Sequence, residues 1–198
     1  MTATKEKIIE AAYSCFAEKG YIGTTTREIA KTAGVSEITL FRYFRTKAAL
    51  FEAVINRYSI LSDLKKIASE NNDKNIEETI KHIAKRIYLT LRKKKKLIRI
   101  ILSEITNHPN EITEIYNKFL ARIDSMLLKI FEQKKEKIEL KENLNLQLAV
   151  RGFHCMLFAF FQTNEIFLKK ELSEQEIEET INTFVNILFE GIKKEGNK

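Results

Sequence analysis

The chain is predicted to be all-α, and three observations carry that expectation. Apolar residues recur at intervals of three and four along most of its 198 residues, without a convincing alternating strand pattern. One proline and six glycines leave long stretches free of helix breakers. Several apolar runs are preceded by Ser, Thr or Asn with a glutamate three positions later, the sequence mark of a capped helix start.

Taken in order, Lys5 to Phe16 form an amphipathic helix with Ile8, Ala12 and Phe16 on one stripe, closed by Gly20 as the residue just past the end. Thr25 caps a second helix, Glu28 completes a capping box, and Ile29, Ala30 and Ala33 form its apolar face. Gly34 supplies the permissive backbone of a tight turn, with Val35 wedged beneath it. Ser36 caps a third helix in which Leu40 and Phe44 lie four apart and face inward. Glu37, Ile38, Thr39, Phe41, Arg42 and Tyr43 then face elsewhere, which is odd for a helix with nothing to bind. Two short helices joined in this way read as a helix-turn-helix, whose second helix suits a DNA major groove.

Thr46 caps a fourth helix carrying Leu50, Phe51, Val54 and Ile55, expected to run past Leu64 and to fray near Asn71. Asn75 with Glu78 opens a fifth through Ile76, Ile80, Ile83, Ile87 and Leu91. Leu97 to Ile105 make a sixth that stops before Pro109. A seventh spans Glu111 to Glu136, with Ile112, Ile115, Phe119, Ile123, Met126 and Ile130 inward. An eighth runs from about Leu144 to Leu168, and Ser173 with Glu176 opens a ninth.

The order of these elements, FAEKGYIGTTTREIAKTAGVSEITLFRYFRTKAALFEAV from Phe16 onward, closely resembles the N-terminal domain of the tetracycline repressor (TetR) family. The resemblance covers about the first 55 residues and implies nine helices. It implies a DNA-binding domain over residues 1–48 and an effector-binding and dimerisation domain over 49–198, the boundary lying within the fourth helix. It also implies that Thr39 reaches DNA and that Tyr43 and Lys47 contact phosphates. Arg27, whose charge opposes the dipole of its helix start, fits a phosphate or base contact. Thr26, Ser36 and Arg42 complete the expected DNA-facing set. Two positions depart from the family pattern. Phe41 stands where tyrosine is usual and lacks the hydroxyl for a phosphate, and Ile38 stands where a small residue or proline is usual. Ile38 points to contact with base methyls, while Glu37 is able either to accept from a cytosine amino group or to repel unwanted sites. No operator sequence carries over from a relative.

A formal charge of +7 suits a polyanionic partner and serves solubility equally; eight Lys or Arg against five Glu put +3 on the first 50 residues. Hydrophobic content of 44% permits a sizeable core. Cys15 and Cys155, on apolar faces far apart in sequence, read as buried reduced thiols of a cytoplasmic protein. The N-terminus lacks a signal-peptide pattern, and no apolar run approaches the ~20 residues of a membrane span. His82, His108 and His154 show no metal-ligand spacing, and no glycine-rich phosphate loop or paired-cysteine motif is present, so neither enzyme nor cofactor is expected. The tract Arg92 to Lys96 reads as a solvated turn at a helix C-terminus, with a DNA-adjacent basic patch as the alternative.

The eighth helix is apolar around most of its circumference and must be covered on more than one side. With the ninth it suggests a homodimer interface built on Phe158, Phe161, Ile181, Val185, Leu188 and Ile192. Two-fold symmetry also suits a reader of a pseudo-palindromic operator in double-stranded DNA. The resemblance further implies a cavity for a largely apolar small-molecule effector. Its expected lining is Ile83, Ile87, Tyr88, Phe119, Ile123, Met126, Phe153 and Leu157, with Arg151 and His154 as orienting polar groups. The function so expected is a ligand-released repressor. The alternatives are an architectural DNA-coating protein and a helical adaptor that binds no DNA.

Overall fold

Each marked helix start is capped as its sequence demands in the computed structural model, which describes residues 3–59, 61, 75–107, 109–134 and 139–194. Thr25 and Ser173 each anchor a reciprocal capping box, with Glu28 and Glu176 respectively. Ser36, Thr46, Asn75 and Asn145 each accept a first-turn amide on their side-chain oxygens. Among the described residues this yields nine helices: α1 (Ala3–Lys19), α2 (Thr26–Thr32), α3 (Glu37–Tyr43), α4 (Lys47–Tyr58), α5 (Ile76–Lys93), α6 (Lys95–Asn107), α7 (Pro109–Lys134), α8 (Leu146–Phe161) and α9 (Glu174–Ile192). Pro109 does not end a helix so much as begin one, since a proline at the first helical position gives up only an amide that would be unpaired there. The expected extension of α4 past Leu64 and its fraying near Asn71 lie outside the described residues.

The chain divides into two compact units. The first comprises residues 1–59 and 94–120, thus α1 to α4, α6 and the first half of α7. Its core joins Ile8, Ala12 and Phe16 of α1, Ile29 of α2, Leu40 of α3 and Leu50, Phe51 and Val54 of α4 to Leu97, Ile101, Ile112 and Ile115. Phe16 meets Phe51 edge-on at 5.1 Å between ring centroids. Gly20 takes φ +76° and Gly34 φ +67°, so both sharp turns use backbone that other residues adopt only under strain.

The second unit comprises residues 60–93 and 121–198. Here α5, α8 and α9 pack on one another around Ile80, Ile83, Ile87, Leu157, Phe161, Ile181 and Val185. Past Phe161 the helix widens into a π-helical turn over Gln162–Phe167, in which the Leu168 amide reaches the Thr163 carbonyl at 2.9 Å. Beyond α9, the Lys194 amide donates to the Glu139 carbonyl at 2.9 Å, tying the residues that follow α9 to the approach to α8.

Several expectations are corrected here. Phe161, Ile181, Val185, Leu188 and Ile192 are buried within their own chain. Phe158 is half-buried. The cause is that α5 packs on both α8 and α9 and covers these side chains within the protomer. Cys155 is exposed and Cys15 half-buried; both are free thiols, but neither is a core residue. Nor is the Arg92–Lys96 tract merely solvated. Arg92 Nε donates to Glu165 Oε1 at 2.6 Å and its Nη2 to the Leu172 carbonyl at 2.8 Å. Lys94 Nζ lies 4.6 Å and 5.1 Å from the ring centroids of Tyr58 and Tyr13, a pair whose rings are 4.1 Å apart.

Candidate nucleic-acid interface

Helix α3 divides cleanly between an inward and an outward face. Leu40 is fully buried and Phe44 nearly so, four residues apart on the core side. On the opposite arc, Ile38 is 83% exposed and Phe41 42% exposed. Arg42 is exposed, and Glu37 and Thr39 are half-buried at the edges of that arc. Leaving Ile38 in water forgoes most of the about 1.5–3 kcal/mol that full burial of such a side chain gives, and the 42% exposure of Phe41 forgoes a smaller part, so folding alone does not account for them.

The expected DNA-facing residues outside α3 come to the two helix starts that flank it. Arg27 is exposed in the first turn of α2, beside the half-buried Thr26. The Thr26 hydroxyl donates to Glu37 Oε1 at 2.6 Å, linking the starts of α2 and α3. Ser36, exposed at the α3 cap, takes the Thr39 amide at 3.1 Å, and the two hydroxyls are 2.9 Å apart. Tyr43 is half-buried against the core, with the Arg42 guanidinium 5.7 Å from its ring centroid.

Lys47 behaves differently from the sequence expectation. Its ammonium turns back, donating to the carbonyls of Tyr21 at 2.9 Å and Thr24 at 3.1 Å. Two of its three N–H donors are thereby committed to the loop between α1 and α2. That loop is itself tightly held. The buried Thr24 hydroxyl donates to the Gly20 carbonyl at 2.7 Å, and the Tyr21 amide donates to Glu104 Oε1 at 2.8 Å. Glu104 and Thr24 carry no local sequence signal for these roles, since Glu104 acts across 83 positions.

In the second unit, Ile83, Ile87, Tyr88, Ile123, Phe153, His154 and Leu157 are buried, and Met126 is half-buried. Phe119 instead belongs to the first unit, packed against its core. Arg151 is largely exposed, yet its Nε donates to the buried Asp124 Oδ2 at 2.8 Å. Among the described residues Asp124 Oδ1 has no hydrogen-bond partner, and His154 Nδ1 lies 3.7 Å from it. Burial lowers the His154 pKa, with Asp124 opposing and Arg151 reinforcing that shift. Among the described residues no three His, Cys, Asp or Glu gather as a metal site, and no helix is long and apolar enough to cross a membrane.

An all-α chain with a capped helix-turn-helix, whose second helix turns large side chains outward, is a helix-turn-helix DNA-binding regulator. Residues 8–54 match the model of the bacterial regulatory proteins of the tetR family, and the chain belongs to that family. It is 32% identical over 127 residues to YvkB of Bacillus subtilis, described as an uncharacterized HTH-type transcriptional regulator, covering 61% of this chain and 66% of that relative. It is 28% identical over 199 residues to YttP of the same organism, covering 96% of this chain and 91% of YttP. The crystal structure described as a TetR-family regulator from Mesorhizobium loti superposes with a TM-score of 0.73 at 22% identity, covering 98% of this chain and all of that one.

Proposed function

We propose that the protein is a homodimeric repressor that occupies a pseudo-palindromic operator and leaves it when a largely apolar small molecule binds its second unit. The observation that carries this reading is the outward arc of α3, where Ile38 and Phe41 are exposed beside Arg42. Glu37, Ile38, Thr39 and Phe41 take the base edges, and Arg27, Ser36, Arg42 and Tyr43 take phosphates. Lys47 serves the backbone through its remaining N–H.

Repression is supported by the likeness to IcaR of Staphylococcus aureus, a negative transcriptional regulator that is 23% identical over 190 residues, covering 93% of this chain and 98% of IcaR. Dimerisation is supported by what α8 and α9 leave uncovered. Gly152, Cys155 and Ala159 are exposed along α8, and Thr183, Ile187 and Gly191 along α9. Beside them lies a groove of about 370 Å³ lined in part by Phe160, Leu172, Thr180 and Phe184. Small side chains of this kind let two helix pairs approach closely across a two-fold axis.

For the effector, the buried apolar side chains of α5, α7 and α8 supply the contact area, and the Asp124–His154 pair supplies polarity at one end. A FadR of B. subtilis, with a TM-score of 0.65 and 20% identity to this chain, was crystallised with stearoyl-CoA, so that protein accommodates a long apolar chain. The ligand acts only through a difference in affinity between the DNA-competent and DNA-incompetent states, and bound operator must weaken ligand binding by the same factor.

Selection of bound sequences from a random DNA pool tests the reading, with a palindromic consensus as the expected result. Binding that unrelated DNA competes away equally would point to DNA coating instead. Calorimetric titration of an effector found by library screening, with and without operator, then tests release; equal affinities would overturn that part.

A further inference from the structure

The bond between Thr26 and Glu37 has a use beyond joining two helices. Thr26 Oγ1 donates to Glu37 Oε1 at 2.6 Å, and Thr26 is the hydrogen-bond partner that Glu37 has among the described residues. Glu37 opens α3, directly before the most exposed of the large apolar residues, Ile38. The carboxylate is therefore held at the outer edge of the arc with its second oxygen unspent. A carboxylate there repels phosphates and so lowers affinity for DNA in general. Its worth lies in discrimination.

We infer that Glu37 reads a cytosine through the exocyclic amino group, and that Thr26 is the positioning residue that aims it. The inference rests on the DNA-reading function proposed above. An ionised carboxylate only accepts hydrogen bonds. In the major groove guanine shows two acceptors and thymine an acceptor with a methyl group, so both oppose it. Adenine sets an acceptor beside its amino donor, whereas cytosine shows the donor alone. Thr26 takes one carboxylate oxygen and fixes the rotamer before DNA arrives, which leaves the other oxygen a defined direction.

The test is random-pool selection and quantitative binding with the full chain carrying Glu37→Gln, Thr26→Val or Thr26→Ser, beside a thermal midpoint for each. The wild type is expected to enrich cytosine at one position of each half-site, by roughly 5- to 150-fold over guanine or thymine. Glu37→Gln is expected to move that preference to adenine, because an amide offers the donor–acceptor pair that matches adenine N7 and N6. Thr26→Val should lower the cytosine preference by more than it lowers affinity for the pool as a whole, and Thr26→Ser should restore it. An unchanged base at every position in Glu37→Gln would overturn the inference. So would a Thr26→Val variant that loses thermal stability and pool affinity while its cytosine preference stays whole, since the bond would then be only a tether. A wild type that enriches no sequence would overturn the DNA-reading function itself, and this inference with it.

Discussion

Lys47 both donates to the carbonyl of Tyr21, at 2.9 Å, and stands over the ring of the same residue, 4.3 Å from its centroid. The start of α4 is thus fastened to the loop that precedes the reader. Charged hydrogen bonds contribute about 1.5–3 kcal/mol each, and an exposed cation–π contact about 0.5–1 kcal/mol. Replacing Lys47 with Ala is therefore expected to lower the stability of the first unit by about 1–3 kcal/mol, and to weaken binding to operator and unrelated DNA by similar factors. Urea midpoints and fluorescence anisotropy measure the two effects. Full stability with altered base preference would contradict both roles.

Glu165 is wholly enclosed on the π-helical turn, where Arg92 and the Tyr88 hydroxyl, at 3.2 Å, are its partners. Burial, followed by the charge of Glu165, pushes the Tyr88 hydroxyl pKa upward, so it stays protonated and able to donate. Arg92→Met removes the Arg92 charge from beside a buried carboxylate and should cost about 3–5 kcal/mol. Adding Glu165→Gln to it should recover a large part of that loss. A double variant no more stable than Arg92→Met would show that the pairing matters little.

The two faces of α9 separate folding from assembly. Ile187, 53% exposed, is expected to tolerate glutamate within the protomer, giving folded monomers that lose operator binding. Leu188, one residue on and 7% exposed, is expected to unfold the second unit when made acidic, because the charge is buried without a partner. Sedimentation with circular dichroism distinguishes them. A dimeric Ile187→Glu variant would place the interface elsewhere.

Acid should act in two windows. Burial depresses the His154 pKa, so the unfolded chain binds that proton more tightly than the folded one. This contribution is complete above the ordinary histidine value of about 6.5 and is lost as the pH falls from there through the lower folded value. Glu28 and Glu176 are held down to about 2, by Lys19 and Lys170 first and then by the Thr25 and Ser173 caps. Their contribution is present above the ordinary carboxylate value of about 4.5 and declines from there toward pH 2. Denaturant midpoints followed from pH 7.5 downward should show both declines, and His154→Gln should remove only the upper one. Persistence of the upper decline in that variant would assign it to another group.

What the sequence makes legible is whatever depends on neighbours within one helical turn. The caps at Thr25, Ser36, Thr46, Asn75 and Ser173, the turn at Gly34 and the inward pair Leu40–Phe44 all belong to this kind. The reader is legible for the same reason, because its exposed arc is the complement of a short-range pattern. Arg92 is not, since the dipole of its own helix end is visible locally while Glu165 stands 73 positions away. Lys47 is legible only in part: its charge suggests phosphate, and its carbonyl partners lie 26 and 23 positions earlier. The surface that α8 and α9 leave uncovered is legible only as an excess of apolar residues. Periodicity states that two faces are apolar and is silent on which one the protomer keeps.

The grip of α6 on the reader has a consequence for the order in which the protein can be made. The first unit draws Leu97, Ile101, Ile112 and Ile115 into the same core as Ile8 and Phe51, and Glu104 holds the Tyr21 amide. A ribosome that has released only residues 1–59 has made the whole helix-turn-helix but lacks one wall of the core on which it stands. A fragment of those residues is expected to lose several kcal/mol relative to the same residues in the full chain, by the loss of four large apolar partners at about 1.5–3 kcal/mol each. Hydrogen exchange should find its α1 and α4 amides poorly protected, whereas a fragment ending after Leu120 should protect them. Premature termination anywhere in the first half of the message would then yield no competitor for the operator, so the reading head becomes competent only once the chain is committed to its second half.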